Sequence, residues 1–405
     1  MISIAEAIKT VLQQTTNFGT ESVALVDAVR RILAEDVVAD TDLPPFDRAQ
    51  MDGYAVQAAD VADPPARLRI VGESAAGAGW HQEMKAGEAV RIMTGAPVPA
   101  GADAVQQVEL TREIDSNGSI EILESVEVGR SIVKQAAEIK SGETVLRAGE
   151  EINAAMIATL ASFGCAQVKV RRRPRVAVMA TGSELVDVDL KPGQDQIRDS
   201  NNYTIAAYAE LAGAIVERLP LAGDNTEELK AQITRAVETS DVLITSGGVS
   251  MGVYDFTKAA LKELGAEIFF ERVALRPGKP TVFARMRNAL VFGLPGNPVS
   301  VAVTFNLFAR TALRAMQGAS QPTLNEQTAI LGRRVKGSID RESYLPAVLR
   351  TDGKGSLIAE PLKWGGSSDF VAFARATGLI NVPAGVKSIE AGERVSIVRL
   401  PGSAP

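Results

Sequence analysis

The chain has 405 residues, which at ~100 to 200 residues per domain is enough for two to four domains. Hydrophobic residues make up 46% and charged residues 23%, the composition of a globular protein, and the net charge of −6 gives no overall attraction for nucleic acid. A single cysteine, Cys165, and a single histidine, His81, exclude an intrachain disulfide, a cysteine-cluster metal site and a histidine-based triad within one chain.

No stretch approaches the ~18 apolar residues that a membrane span needs, and the N-terminus lacks a basic start followed by an apolar run. We therefore expect a cytoplasmic protein with neither a membrane nor a nucleic acid as partner. Cys165 is expected to be a small buried hydrophobe.

The first predicted element is an amphipathic helix, because Ser3 and Glu6 form a capping box before an apolar repeat of helical spacing. A second helix is predicted from a cap at Asn153 to a stop at Gly164, and the two could pack into one small helical domain, residues 1–41 plus 139–171. Residues 42–138 contain short Val and Ile segments cut by Gly and Pro, which predicts a β-rich insertion domain.

Residues 172–318 alternate between apolar strand patterns and capped helices, which is typical of a doubly wound, mostly parallel sheet. The predicted strands lie at Arg175–Ala180, Ile215–Leu219, Val242–Ser246 and near Ile268, Val282 and Val291. The predicted helices begin near Asn201, at Asn225 with Glu228 as its capping partner, at Asp255, and at Asn297 with Pro298 in the first turn.

The C-terminal residues, 322–405, follow a linker at 318–322 and contain three strand-like stretches, at Tyr344–Leu349, Gly378–Val382 and Arg394–Leu400. A small β-barrel or sandwich is the expected fold. The predicted class is thus a multi-domain α/β protein with a doubly wound sheet domain, a β-rich insertion domain, a small helical domain and a C-terminal β-barrel-like domain.

Three loops follow predicted strands of the α/β domain, at Thr181–Leu185, Ser246–Gly252 and Leu294–Ser300. In such sheets, ligands bind outside the carboxyl ends of the strands, where glycines let the backbone approach an anion. Any one loop alone is better explained as an ordinary turn, but the three together favour a nucleotide or phosphate site. The sequence lacks the Walker and Gly-x-Gly-x-x-Gly patterns, so the usual ATPase and NAD interpretations lose support.

Four carboxylates lie near these loops: Glu184, Asp199, Asp224 and Asp255. Mg²⁺ is commonly held by one or two carboxylates together with substrate phosphates, so magnesium-dependent phosphate chemistry is a hypothesis here. Asp255 is also explained as a helix cap, and Asp224 equally well as a turn residue. Glu184 is harder to explain structurally, because a turn after a buried strand does not require glutamate.

The segment Arg276–Pro280 places two cations, Arg276 and Lys279, on either side of a Pro-Gly bend. Each proline fixes its own φ, so the cations could bind a tetrahedral oxyanion with little reorganisation. A solvated basic turn is the alternative interpretation of this segment taken alone.

Taken together, these motifs resemble the molybdopterin molybdenumtransferase family, which includes the gephyrin E domain and the matching domain of the plant molybdenum-insertion protein. The matching stretches extend along almost the whole chain: Leu43–Ala55, Arg91–Ala96, Gly101–Val105, Ala180–Leu185, Thr245–Ser250, Arg276–Pro280 and Gly293–Ser300.

The resemblance implies an elongated homodimer that uses Mg²⁺ to insert molybdate into adenylylated molybdopterin with release of AMP. It also implies a composite active site, and the upstream molybdopterin adenylyltransferase is a candidate handover partner. The implied catalytic residues are Asp52, Glu184, Asp224 and Asp255, of which the last three are also the metal ligands and Asp52, like Thr94, comes from the partner subunit. The implied substrate-binding residues are Thr94, Gly95, Ser183, Ser246, Gly247, Gly248, Pro295, Asn297 and Pro298. The implied molybdate-binding residues are Arg276, Lys279, Ser300, Arg341 and Ser367.

Three departures from the family pattern leave an alternative open. An Arg-rich stretch is replaced by Val133–Glu138, in which Glu138 could keep the acidic role; Arg276 replaces a lysine; and Pro346 stands where another basic residue is expected. The alternative is a divergent paralogue that binds molybdopterin or acts as a scaffold without turnover. The insertion and the C-terminal domain disfavour a simple pterin-binding protein, and no segment indicates a receptor-loop partner.

Overall fold

The computed structural model describes residues 1–115, 118–222, 226–247 and 256–402. Its α-helices are, in chain order, α1 (Ile4–Gln14), α2 (Ala154–Ser162), α3 (Asn201–Leu211), α4 (Thr226–Thr239), α5 (Phe256–Glu263), α6 (Pro298–Thr304), α7 (Arg310–Met316) and α8 (Phe370–Phe373). Short 3-10 helices lie at Leu25–Asp27, Ala58–Val61 and Val108–Leu110, and a π-helical turn, Phe305–Ala309, joins α6 to α7.

The first twelve strands are β1 (Thr20–Ala24), β2 (Val37–Val38), β3 (Arg48–Ala49), β4 (Gly53–Val56), β5 (Ala66–Ser74), β6 (Glu88–Ile92), β7 (Ala104–Gln107), β8 (Thr111–Asp115), β9 (Ser119–Ile122), β10 (Ile132–Val133), β11 (Thr144–Leu146) and β12 (Gln167–Arg171). The strands that follow up to the α6 helix are β13 (Arg175–Ala180), β14 (Leu185–Val186), β15 (Ile197–Arg198), β16 (Ile215–Arg218), β17 (Val242–Ser246), β18 (Glu267–Phe270), β19 (Leu275–Arg276), β20 (Val282–Met286) and β21 (Ala289–Leu294). The C-terminal strands are β22 (Glu326–Leu331), β23 (Val335–Lys336), β24 (Glu342–Thr351), β25 (Leu357–Pro361), β26 (Gly378–Val382), β27 (Ser388–Ile389) and β28 (Arg394–Arg399).

The chain divides into two compact units. The first contains Met1–Glu35, Ala148–Asn153 and Gln167–Pro405, and the second contains Asp36–Arg147 and Ala154–Ala166. The finer division into four domains stays a prediction from the sequence.

The first unit is built on a six-stranded sheet with the order β16-β13-β17-β21-β20-β18. The four strands from β16 to β21 are parallel, β20 runs antiparallel to β21, and the edge strand β18 runs antiparallel to β20. Alternate residues of β13 face opposite cores: Val176 and Val178 pack with α3 and α6, and Ala177 and Met179 pack with α4. Helices therefore cover both faces of the sheet, and the predicted doubly wound, mostly parallel architecture is confirmed.

Helix α1 begins with the predicted capping box, in which Ser3 and Glu6 bond each other reciprocally. The expectation that α1 packs against α2 is wrong. Its buried residues, Ile4, Ala7 and Val11, join the core beside α3 and α7, whereas α2 belongs to the second unit. The apolar stripe of α1 predicts that it must pack, but the partner depends on tertiary structure.

The long helix predicted after Asn297 begins with Pro298 at its first position, as expected, but consists of α6, the π-helical turn and α7. Every residue of the turn is buried. This composite helix forms much of the core on one face of the sheet.

The C-terminal strands close into a barrel, because β24-β25-β22-β28-β26 are neighbours in order and β24 also pairs with β26. Its interior contains apolar residues such as Leu345, Ile380 and Ile397. Strand β19, which belongs in sequence to the α/β region, pairs with β24 in parallel, with Leu275 opposite Glu342 and Arg276 opposite Ser343.

The second unit contains the predicted β-rich insertion as a six-stranded sheet with the order β7-β4-β6-β5-β9-β8. Tyr54 on β4 is one of its largest buried side chains. Cys165, at the end of this unit, is half-buried, a correction to the expected full burial. In the described residues, no helix is both long enough and apolar enough to cross a bilayer.

Candidate functional site

Two adjoining cavities lie at the carboxyl edge of the parallel strands in the first unit. The first, which we call the basic cavity, has a volume of about 690 Å³ and includes Arg276, Lys279, Arg334, Lys336 and Arg341 in its wall. Its other lining residues are Pro277, Gly278, Pro280, Pro295, Asn297, Ser300, Val335, Leu345, Pro346, Pro361, Leu362, Trp364, Gly365, Gly366 and Ser367. Among the described residues, five cations and no carboxylate line this wall. The cavity therefore favours an anion.

The bend that carries Arg276 and Lys279 is held tightly. The peptide between Arg276 and Pro277 is cis, and Gly278 has φ +118°, in the region that favours glycine. A Cβ atom on Gly278 would overlap the Cγ2 atom of Thr304 on α6, so no larger residue fits without movement. The Lys279 carbonyl accepts backbone hydrogen bonds from Val273, at 3.0 Å, and from Thr281, at 3.1 Å.

The remaining predicted molybdate residues line the same basic cavity. Ser300 is buried in the first turns of α6, and Ser367 is half-buried in a loop of the C-terminal domain. Arg341 directly precedes β24, and its Nε atom lies 3.4 Å from the Asp340 carboxylate. The structure therefore brings all five predicted residues together, although their roles stay predictions.

The second cavity, which we call the large cavity, has a volume of about 1070 Å³. Its wall includes six predicted substrate or catalytic residues: Glu184, Ser246, Gly247, Pro295, Asn297 and Pro298. Much of the rest is apolar or aromatic, with Leu185, Val188, Ile197, Tyr203 and Phe370. Ser183 is exposed on the same turn as Glu184 but does not line the cavity. The two cavities share Pro280, Pro295 and Asn297.

Backbone hydrogen bonds hold the loops at the strand ends together. The Thr181 N–H donates to the Ser246 carbonyl at 3.0 Å, and the Gly247 N–H donates to the Leu294 carbonyl at 3.2 Å. Gly247 has φ +86°, and a Cβ atom there would lie 2.5 Å from the Thr181 carbonyl oxygen. The expected convergence of the three loops is thus confirmed for their described residues.

Asn297 occupies the predicted N-cap position of α6, but its side chain makes no capping bond. Its Nδ2 instead donates to the Ser367 Oγ at 2.9 Å, while the Val299 N–H donates to the Ser367 carbonyl at 3.0 Å. These bonds join the start of α6 to the C-terminal domain at the boundary between the two cavities.

Only some of the predicted acidic residues belong to the described part of the chain. Glu184 is exposed in the wall of the large cavity, whereas Asp224, Asp255 and the predicted substrate residue Gly248 lie outside the described residues. Asp199, also in this wall, is 3% exposed and accepts a hydrogen bond from the Asn202 N–H at 3.0 Å. Burial raises the pKa of the Asp199 carboxyl.

The described residues supply one donor of the kind that a magnesium ion binds. Among them there is no group of three acidic, histidine or cysteine side chains that could hold a metal. Glu184 alone nevertheless presents an exposed carboxylate to the cavity, and carboxylate oxygen is the donor that Mg²⁺ prefers.

Asp52 and Thr94 lie together in the second unit. The Asp52 carboxylate accepts hydrogen bonds from the Thr94 hydroxyl and from the Thr94 N–H, both at 2.7 Å. These bonds lower the pKa of the Asp52 carboxyl. Both residues are exposed, and the adjacent Gly95 has φ +80°.

The departures from the family pattern also have defined positions. Pro346 lies on β24 in the wall of the basic cavity. In the Val133–Glu138 stretch, Lys134 forms an ion pair of 2.7 Å with Asp47, and the Glu138 carboxylate lies 3.4 Å from Arg48. Glu138 therefore has a local cationic partner in the second unit.

Sequence reasoning missed Arg334, Lys336 and Trp364 as cavity residues. The signal available was the basic run at 333–336, next to a short strand pattern. In isolation that run is indistinguishable from a solvated edge strand, since charged residues commonly protect such edges.

Comparisons with known proteins agree with this arrangement. Three family models match: the MoeA N-terminal region (domain I and II) over residues 2–164, a probable molybdopterin binding domain over residues 177–315, and the MoeA C-terminal region (domain IV) over residues 328–400. The chain is similar to the molybdopterin molybdenumtransferase of Bacillus subtilis, with 36% identity covering 98% of this chain and 94% of the relative. It is also similar to that of Haemophilus influenzae, with 34% identity covering 98% of each.

Solved structures show the same likeness. A molybdopterin biosynthesis MoeA protein from Pyrococcus horikoshii OT3 superposes with a TM-score of 0.85 at 28% identity, covering 98% of this chain and 100% of the other. A second structure of a MoeA protein from Pyrococcus horikoshii has a TM-score of 0.82 at 32% identity and covers both chains completely.

Proposed function

Because the chain belongs to the molybdopterin molybdenumtransferase family, a family of transferases that act in molybdenum cofactor biosynthesis, we propose that it inserts molybdate into adenylylated molybdopterin and releases AMP. The observation that carries this proposal is the pair of adjoining cavities, one lined by five cations and the other large and mostly apolar. A small tetrahedral oxyanion suits the first, and an extended pterin nucleotide suits the second.

In this proposal, molybdate binds in the basic cavity between Arg276 and Lys279 of the bend, Ser300 of α6, and Arg341 and Ser367 of the C-terminal domain. Fixed cations and hydroxyl donors stabilise such an anion at little cost, because they are already oriented before it binds. The three residues that line both cavities support the binding of the two ligands side by side.

The adenylylated pterin would lie against the loops of the large cavity, which contain Ser246, Gly247, Pro295, Asn297 and Pro298. In the proposed reaction an oxygen nucleophile, either water or a molybdate oxygen, attacks phosphorus, the phosphoanhydride bond to the adenylate breaks and AMP leaves. The two dithiolene sulfurs replace oxygens of molybdate, which leave as water.

Mg²⁺ is the proposed cofactor, with Glu184, Asp224 and Asp255 as its protein ligands. When bound, it offsets negative charge on the phosphate oxygens. The exposed Glu184 carboxylate in the cavity wall supports the proposal. Replacing Glu184 with Gln should raise the Mg²⁺ concentration needed for half-maximal AMP release, while molybdate binding to the free protein stays close to wild type.

We also propose that the active site is completed in a homodimer, where Asp52 and Thr94 of one subunit face Glu184 and Asp255 of the other. The ordered Asp52–Thr94 pair on an exposed turn supports this, since its acidic oxygen is fixed and accessible. Mixing inactive Asp52→Ala and Glu184→Ala subunits should restore activity, because each heterodimer contains one intact site. No recovery in heterodimers that have been shown to form would contradict the composite site.

The decisive test of the proposed function uses the purified protein with adenylylated molybdopterin, Mg²⁺ and molybdate. We expect AMP release that depends on molybdate and a product that activates an apo-molybdoenzyme. Pterin binding without AMP release would instead support the alternative, a divergent binding or scaffold paralogue. Handover from the upstream molybdopterin adenylyltransferase and a cytoplasmic location stay predictions.

A further inference from the structure

The basic cavity contains a lysine that neither the sequence motifs nor the predicted molybdate set includes. We propose that Lys336, supplied by the C-terminal domain, is an additional oxyanion-binding residue that selects doubly charged tetrahedral anions. This inference rests on the proposed function, because it refines the ligand set of the same cavity.

The cavity cations differ in whether a carboxylate pairs with them. Arg334 forms an ion pair of 2.9 Å with Glu390, and Arg341 lies beside Asp340. Arg276, Lys279 and Lys336, by contrast, have no ion pair with any carboxylate among residues 1–115, 118–222, 226–247 and 256–402. Two uncompensated ammonium groups thus line one cavity.

The backbone that carries Lys336 is fixed on both sides. Strand β23 pairs antiparallel with β27, with Lys336 opposite Ser388. The next residue, Gly337, packs so closely against the Val386 carbonyl that a Cβ atom would overlap it. The Arg276 guanidinium also donates to the Gly337 carbonyl, at 3.5 Å. Lys336 is therefore held next to the predicted molybdate residue Arg276, and it is not on an independent loop.

The charge of the ligand explains why a second free lysine is useful. Molybdate carries two negative charges at neutral pH, and each lysine presents a compact point charge with three donors. Lys279 enters from the bend before β20 and Lys336 from the β23–β27 pair of the C-terminal domain, so the two would contact an anion from different elements. A monoanion of the same shape gains less from the second cation.

The test uses Trp364, which lines the basic cavity, as a fluorescence reporter. Trp80 is the only other tryptophan in the sequence, so Trp80→Phe leaves one signal. In that background, Lys336→Ala should weaken molybdate binding by about three- to tenfold at low ionic strength, since an exposed cation is partly screened. Affinity for perrhenate, a tetrahedral monoanion, should change less, and Lys336→Arg should recover most of the molybdate affinity.

The matched control is Lys354→Ala, which removes an exposed lysine of the same domain outside the cavity and should leave both affinities unchanged. If Lys336→Ala matches this control while Lys279→Ala loses affinity, the inference is wrong and the proposed function stands. If neither fluorescence nor equilibrium dialysis detects molybdate binding to the parent protein, both the role of Lys336 and the proposed function are contradicted. An equal loss for molybdate and perrhenate would overturn the selection for doubly charged anions.

Discussion

Replacing Lys279 with Ala is the most direct perturbation of the basic cavity. The side chain is half-buried, and its backbone carbonyl is bonded to Val273 and Thr281, so truncation removes the ammonium group without freeing the bend. One charge-assisted hydrogen bond contributes about 1.5 to 3 kcal/mol, so molybdate affinity should fall by about ten- to a hundredfold. Binding of the adenylylated pterin should change much less, because Lys279 lines the basic cavity and not the large cavity.

Two measurements check this prediction: a direct molybdate titration, and the molybdate concentration that gives half-maximal AMP release. Both should shift by a similar factor, and Lys354→Ala should shift neither. If Lys279→Ala instead abolished nucleotide binding and left the molybdate dependence of AMP release untouched, Lys279 would be a phosphate ligand and the assignment of the two cavities would be wrong.

Three further outcomes are expected. Gly278→Ala should lower the free energy of unfolding by about 1 to 3 kcal/mol and weaken molybdate binding, because φ +118° and the contact with Thr304 do not accommodate a Cβ atom; chemical denaturation and the Trp364 titration measure the two effects. Thr94→Val should raise the pKa of the Asp52 carboxyl, because it removes the hydroxyl hydrogen bond that lowers this pKa. As the pH falls, Asp52 should therefore lose its negative charge at a higher pH than in the wild type, and carboxyl NMR titration measures this difference. Ser3→Ala should cost about 1 kcal/mol of stability in urea denaturation with no change in anion binding.

The elements that local sequence predicts best are those whose signals need no distant partner. The strand Val242–Ser246 has the bounds that the sequence predicts, because an apolar run of 5 residues is too short for a typical helix and ends at a glycine turn. The Ser3 capping box was likewise predicted, since both of its hydrogen bonds lie within four residues. The convergence of the loops at the strand ends could be predicted for a different reason, because the carboxyl ends of parallel strands meet at one edge of a sheet.

The parts that could not be predicted depend on contacts between residues far apart in the chain. Asn297 stands where a helix cap belongs, yet its amide bonds Ser367, a residue 70 positions away that the local pattern cannot indicate. From the local sequence, Lys336 resembles a solvated edge residue, and only the tertiary fold of the C-terminal domain places it in the wall of the basic cavity. The packing partner of α1 was wrong for the same reason, since an apolar stripe does not specify what covers it.

The pairing of β19 with β24 has a consequence for dissecting the protein. Leu275 and Arg276 contribute a strand to the sheet of the C-terminal barrel, although they precede the linker at 318–322 by more than forty residues. A fragment that starts at that linker would expose the backbone groups of β24 that now bond β19, and an unpaired edge of this kind promotes association between chains. Domain-exchange experiments with related proteins should therefore carry residues 273–281 together with the barrel, because cutting between them separates a cation of the basic cavity from the sheet that positions it.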